Sequence, residues 1–147
     1  MTHDFSYPIL LAADEAEGGF VVSFPDLPEA ITQGDDEADA LAQGADALEE
    51  AVAGRIRRGE DIPAPSAARR GQRMVTVPAQ TAVKAALYLS MREAGLSKVE
   101  LAARLGCDEK EVRRLLDPRH PSKLPRLQAA LAALGKRLAF RVESEAA

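Results

Sequence analysis

Apolar positions alternate with polar ones early in the chain and recur every three or four residues over most of the remainder. Residues 5–13 (FSYPILLAA) form an apolar run, and DEAEGG at 14–19 supplies turn residues. Phe20, Val22 and Phe24 then alternate with Val21 and Ser23, the period of a strand with one buried face. The prolines of PDLP (25–28) end that strand, and AITQ at 30–33 reads as a short third one. A helix is expected next. Asp36 is placed to cap it, Asp39 puts negative charge in its first turn, and Ala38, Leu41, Ala45, Leu48, Val52 and Ile56 form an apolar stripe. Residues 57–72, rich in Ala, Pro and Arg, read as a loop. RMVTV at 73–77 reads as a fourth strand, parallel to a neighbour through a right-handed crossover. The order β-β-β-α-β implies a helix packed on one face of a small sheet.

From Pro78 the period changes to 3.6. Val83, Leu87, Met91 and Ala94 mark a helix ending at Gly95. Ser97 opens S-K-V-E with Glu100 in the position of a capping box, and Asp108 opens D-E-K-E with Glu111 in the matching place. Gly106 lies between them, where a chain leaving a helix needs positive φ. A last helix, expected to be capped by Ser122 and to carry Pro125 in its first turn, runs through Leu127, Ala130, Leu131 and Leu134 to Gly135. The tail LAFRV at 138–142 alternates again, as a strand would. It is a candidate pairing element for a second copy, and folding back on its own domain is the alternative.

Two short capped helices around a glycine turn form a helix-turn-helix pattern. Leu101, Ala102 and Leu105 line the first helix, Val112 and Leu115 the second, and Ala102 is small enough to let them approach closely. Lys110, Arg113 and Arg114 then fall on the outer side of the second helix, free to enter a major groove. Arg119, His120 and Lys123 follow where phosphate contacts lie, and Lys98 opens the first helix. The candidate DNA-binding set is Lys98, Lys110, Arg113, Arg114, Arg119 and Lys123. The competing reading is a helical bundle with a solvated basic face, and Glu109 and Glu111 beside Lys110 weaken phosphate binding.

Charge sharpens the picture. Residues 1–78 hold 15 Asp/Glu against 6 Lys/Arg, a formal −9, and residues 79–147 hold 8 against 13, a formal +5. The split divides the chain into an acidic module, 1–78, suited to a basic protein partner, and a basic module, 79–147, suited to nucleic acid. The composition is that of a folded globular protein. The single cysteine, Cys107, fits a reducing cytoplasm and is expected to pack as a small apolar residue. With His3 and His120 the only histidines, a His/Cys zinc site is excluded. No run approaches the ~20 apolar residues of a membrane span.

Nor does the chain carry a catalytic constellation. The run YPILLAA holds no carboxylate, Asp14 and Glu15 fall at its end, and the acidic residues of 35–50 are strung along a helix. No nucleophile–base set or glycine-rich phosphate loop is present. No enzyme activity, metal or cofactor is expected.

Three segments in order give the chain a family likeness: the hairpin followed by FPDLPEAITQGDDEADALAQGADALEEAV (24–52), then VPAQTAVKAALYLSMREAGLSKVELAARLG (77–106), then DEKEVRRLLDPRHPSKLPRLQAALAALGKRL (108–138). In these the chain resembles the HicB-type antitoxins. The resemblance implies an α+β protein, with a partial ribonuclease-H-like N-terminal module followed by an all-α DNA-binding module. It implies a small basic HicA-type toxin as partner, an mRNA ribonuclease neutralised by tight binding, and repression of the shared operon from operator DNA as a homodimer or higher oligomer. It leaves the toxin-contact residues unassigned. The rival reading is a stand-alone transcriptional regulator with a ligand-sensing N-terminal domain, and a third is an antitoxin module whose toxin has been lost.

Overall fold

A computed structural model describes residues 2–145. It is an α+β structure with its strands within residues 6–76 and four helices after them. The apolar run at the N-terminus is one interrupted strand, β1 (Ser6–Pro8) and β2 (Leu10–Ala13), broken around the buried Ile9. Pro8 has no amide hydrogen to give to a ladder, which favours a break there. β2 pairs antiparallel with β3 (Phe20–Ser23), which pairs antiparallel with β4 (Ile31–Gly34).

Helix α1 (Glu37–Arg58) follows, capped by the Asp36 side chain, which accepts from the Asp39 amide at 2.8 Å. It runs two residues into the segment read as a loop and ends at Gly59. Its sheet-facing line is Ala40, Gly44, Leu48 and Val52, while Ala38 is exposed. Glycine at 44 lets the helix sit close on the strands: a Cβ there would lie 2.8 Å from Ile9 Cδ1 and 3.2 Å from Val22 Cγ1. The expected parallel strand is antiparallel instead. β5 (Met74–Thr76) pairs with β1, Ser6 opposite Thr76 and Pro8 opposite Met74. The connection at 59–73 is the reason. Fifteen residues of mostly irregular chain can reach roughly 50 Å, enough to carry the chain back before it enters the sheet. Tyr7 donates to Pro63 O at 2.7 Å, the Ser66 amide donates to Asp26 Oδ2 at 2.8 Å, and Ile62 is buried, so the first part of this connection is tied to the body.

Helix α2 (Ala79–Ala94) ends at Gly95 and is followed by α3 (Lys98–Leu105), α4 (Glu109–Leu116) and α5 (Leu124–Ala133). Two apolar cores result. The first gathers Phe5, Tyr7, Val22, Phe24, Leu48 and Val52, and the second Leu101, Val112, Leu115, Leu127 and Leu131. Helix α2 serves both, turning Ala85 and Leu89 to the first and Val83, Leu87 and Met91 to the second.

Two expectations for the C-terminal part fail. Lys123, not Ser122, occupies the N-cap of α5, with no side-chain capping bond, because the Ser122 hydroxyl is engaged elsewhere. The tail at 138–142 is not a strand among the described residues: a lone strand leaves its backbone groups unpaired, and no strand of either sheet pairs with it. Opposite α1 the sheet has a bare face, where Leu10, Ser23 and Ile31 share one cross-strand row and Leu10 and Ile31 are 48% and 64% exposed.

Candidate nucleic-acid interface

Helices α3 and α4 are eight residues each and joined through Gly106, Cys107 and Asp108. At α3 the capping box forms in both directions: the Glu100 amide donates to Ser97 Oγ at 3.1 Å, and the Ser97 amide to Glu100 Oε1 at 3.2 Å. The hydrogen bond from the Ser97 amide, and after it the Ser97 hydroxyl, stabilise the ionised carboxylate and hold the Glu100 pKa below its usual value. Gly106 has φ +66°, a left-handed turn that an L side chain resists. Cys107 is half-buried against the second core.

At α4 only half of the box closes. Asp108 Oδ1 accepts from the Glu111 amide at 2.9 Å. The Glu111 carboxylate turns away, 3.8 Å from Arg114 Nη1 and 3.7 Å from Arg126 Nε. Val112, Leu115 and Leu116 are buried in the second core, which turns the opposite side of α4 to solvent. Lys110, Arg113 and Arg114 stand there at the i, i+3, i+4 spacing of a single helix face, all exposed. Arg119 and Lys123 are exposed in the connection to α5, and Lys98 is exposed at the first residue of α3, on the other helix of the pair. Apart from Arg114, none of these six makes an ion pair among the described residues. The structure therefore gathers Lys110, Arg113 and Arg114 on α4 and leaves Lys98 apart from them in the sequence of elements. Arg126, a cation passed over in the sequence, enters this surface through Glu111.

Behind α4 lies Lys84, also passed over. It is 0% exposed on α2, and its Nζ donates to Arg114 O at 2.8 Å and to Ser122 Oγ at 2.7 Å. One turn earlier Gln80 Oε1 accepts from the Ser122 amide at 2.8 Å. α2 thus holds the last turn of α4 and the loop beyond it, adding a donor to the Arg114 carbonyl, which also accepts from the Asp117 amide at 3.2 Å. Burial pushes the Lys84 ammonium down to about 8, with Asp117 pulling in the opposite sense. The sequence marks it only faintly: Gln80, Lys84, Leu87 and Met91 share one helical line, two of them, Lys84 and Leu87, flanked on both sides by apolar residues. No three His, Cys, Asp or Glu side chains converge as metal ligands among the described residues. No helix among them is long and apolar enough to cross a membrane.

Comparison with known proteins bears on the chain's ancestry. A family model described as the HicB-like antitoxin of bacterial toxin–antitoxin systems matches residues 6–86, from β1 into α2. Antitoxin HicB 1 of Photorhabdus laumondii is 39% identical over 137 residues, covering 93% of this chain and 86% of the relative. Antitoxin HicB of Escherichia coli K12 is 37% identical over 134 residues, 91% of this chain and 96% of the relative. Antitoxin HicB of Pseudomonas fluorescens is 35% identical over 135 residues, covering 91% and 92%. With a family match from β1 into helix α2, and relatives alike over nearly their whole length, the chain belongs to the HicB-like antitoxins of bacterial toxin–antitoxin systems, a family of antitoxins and not of enzymes.

Proposed function

We propose that this antitoxin neutralises a small basic HicA-type mRNA ribonuclease through its acidic module, residues 1–78, and represses its own operon through its basic module, residues 79–147, with α3 and α4 as a helix-turn-helix. The observation that carries the reading is the division of charge, −9 against +5, laid over a fold in which α4 presents a cationic face to solvent. An RNA-cleaving toxin must attract phosphate, so an acidic surface competes for the same cations. The bare sheet face of the same module, with Leu10 and Ile31 in one row, offers apolar contact. Such contact supplies binding energy, while charge supplies rate.

On the DNA side, Arg113 and Lys110 are the candidates for base edges and Lys98, Arg114, Arg119 and Lys123 for phosphates. Glu111 holds part of the charge of Arg114 within the protein, so Arg113 is the stronger choice for direct reading. The test separates the two activities in the full chain. Arg113→Ala is expected to weaken operator binding by roughly 1–3 kcal/mol in a mobility-shift titration, while still stopping mRNA cleavage by the purified toxin at one-to-one addition. Unchanged operator binding removes Arg113 from the reading set. Failure of the wild-type chain to stop cleavage removes the toxin half of the reading.

A further inference from the structure

We propose that Lys84 and Gln80 of α2 are positioning residues for DNA binding, locking the loop that carries Arg119 and Lys123 to the end of α4 that carries Arg113 and Arg114. This rests on the repressor reading and adds to it two residues that touch no DNA themselves. The loop, residues 117–123, has few means of holding its own place. Pro118 and Pro121 have no amide hydrogen to give. The Arg119 and His120 amides turn back onto Asp117, at 2.9 Å and 3.1 Å. Between these and the first turn of α5, Ser122 ties the loop to the body. Its amide donates to Gln80 Oε1 at 2.8 Å, and its Oγ accepts from Lys84 Nζ at 2.7 Å and donates to Arg114 O at 3.5 Å.

The needs of the core do not explain the amine. Arg114 O already accepts from the Asp117 amide, so it does not lack a donor. Lys84 is fully buried on the line of Leu87 and Met91, which enter the second core. A methionine there would fill a similar volume without taking a charge out of water. It could not reach two groups at once. By donating to Arg114 O at 2.8 Å and to Ser122 Oγ, the amine sets the distance between two pieces of backbone eight residues apart. α2 is a firm post for this purpose, because Thr81, next to Gln80, donates to Glu49 Oε2 of α1 at 3.0 Å. Phosphate contacts fix the register in which a helix reads bases, so loop and α4 must present their cations together. Without the lock the loop has to be ordered each time DNA binds, and that ordering subtracts from affinity.

Mobility-shift titration of the full chain against its own promoter duplex tests this, with the paired change Arg119→Ala/Lys123→Ala as a probe of the loop. Lys84→Met alone is expected to bind about tenfold more weakly than wild type. The paired loop change is expected to raise the dissociation constant about tenfold in wild type and less than about threefold in Lys84→Met, where the loop is already loose. Arg113→Ala, on α4 itself, is expected to cost the same factor in both backgrounds, because Val112 and Leu115 hold that helix in the core. A change that merely weakened the fold would leave both factors as they are in wild type. Gln80→Leu, at a half-buried position outside both cores, is expected to blunt the loop change in the same way, and it serves if Lys84→Met does not fold. An undiminished loop factor in either folded variant overturns the proposal. So does a Lys84→Met chain, or a loop variant, that binds like wild type. A wild-type chain that binds its promoter no better than unrelated DNA overturns the repressor reading, and the positioning role with it.

Discussion

Lys84 carries an amine to a place shut off from water, and the consequence can be read in pH. Its folded value, about 8, lies below the ordinary 10.5. Between those two values the unfolded chain binds more protons, so the Lys84 contribution to stability rises with pH across that window and is level below it. One unit corresponds to about 1.4 kcal/mol, which bounds the gain at a few kcal/mol. Urea unfolding at pH 7 and pH 10 should therefore show wild type gaining on Lys84→Met as pH rises; parallel pH profiles would count against a buried amine. The neutral amine still has hydrogens for Arg114 O and Ser122 Oγ, so the tie to α4 is expected to persist at the higher pH. The neighbouring cations obey a different rule. Arg119→Ala and Lys123→Ala should each lower the salt dependence of DNA binding by about one counterion if they contact phosphate, a change that mobility-shift titrations at several salt concentrations would register. Lys110 and Arg113 were visible in the sequence because a helix period assigns them a face. Lys84 was not, because a lone lysine in an apolar stripe looks like an ordinary surface residue until its partners, one 30 residues and the other 38 residues away, are in place.

Among the elements, the well-read ones carry their own local instructions. The start of α1 at Asp36, the box at Ser97 and the turn at Gly106 depend on residues three or four apart, and all three stand as expected. β5 went astray because strand direction depends on where a 15-residue connection returns the chain, and no local pattern records that. The α5 cap went astray because two residues of α2 claim Ser122. One strand-to-helix junction is testable by volume. A Cβ on Gly34 would stand 2.3 Å from the Ala40 backbone. Backbone cannot swing aside as a side-chain tip does, so Gly34→Ala should destabilise by about 1–3 kcal/mol, read as a lower urea midpoint at constant slope. The connection at 59–73 invites a second test. Its first half is tied by Tyr7 and Asp26, whereas Arg69 and Arg70 are exposed outside any helix or strand. Brief trypsin treatment should cut first after Arg69 or Arg70; a first cut after Arg57 or Arg58 would mean that the end of α1 opens sooner.

At the scale of the whole molecule, the charge division was legible in composition alone, and the fold gives it an address on α4. If the acidic half meets a basic toxin, raising salt should slow association far more than it speeds dissociation, because screening acts on approach and apolar contact on residence; stopped-flow mixing at low and high salt would show it. The layout the sequence did not reveal is α2. Its apolar positions read as one stripe for one core, yet the helix is lined on two sides, with Ala85 and Leu89 in one core and Leu87 and Met91 in the other. Neither core can come apart without stripping a side of the helix that the other needs, so heat should melt the protein as one cooperative unit, with calorimetric and van't Hoff enthalpies equal. A protease that digests this antitoxin would then face no half-measure: once either core opens, both halves of the chain become available to it together.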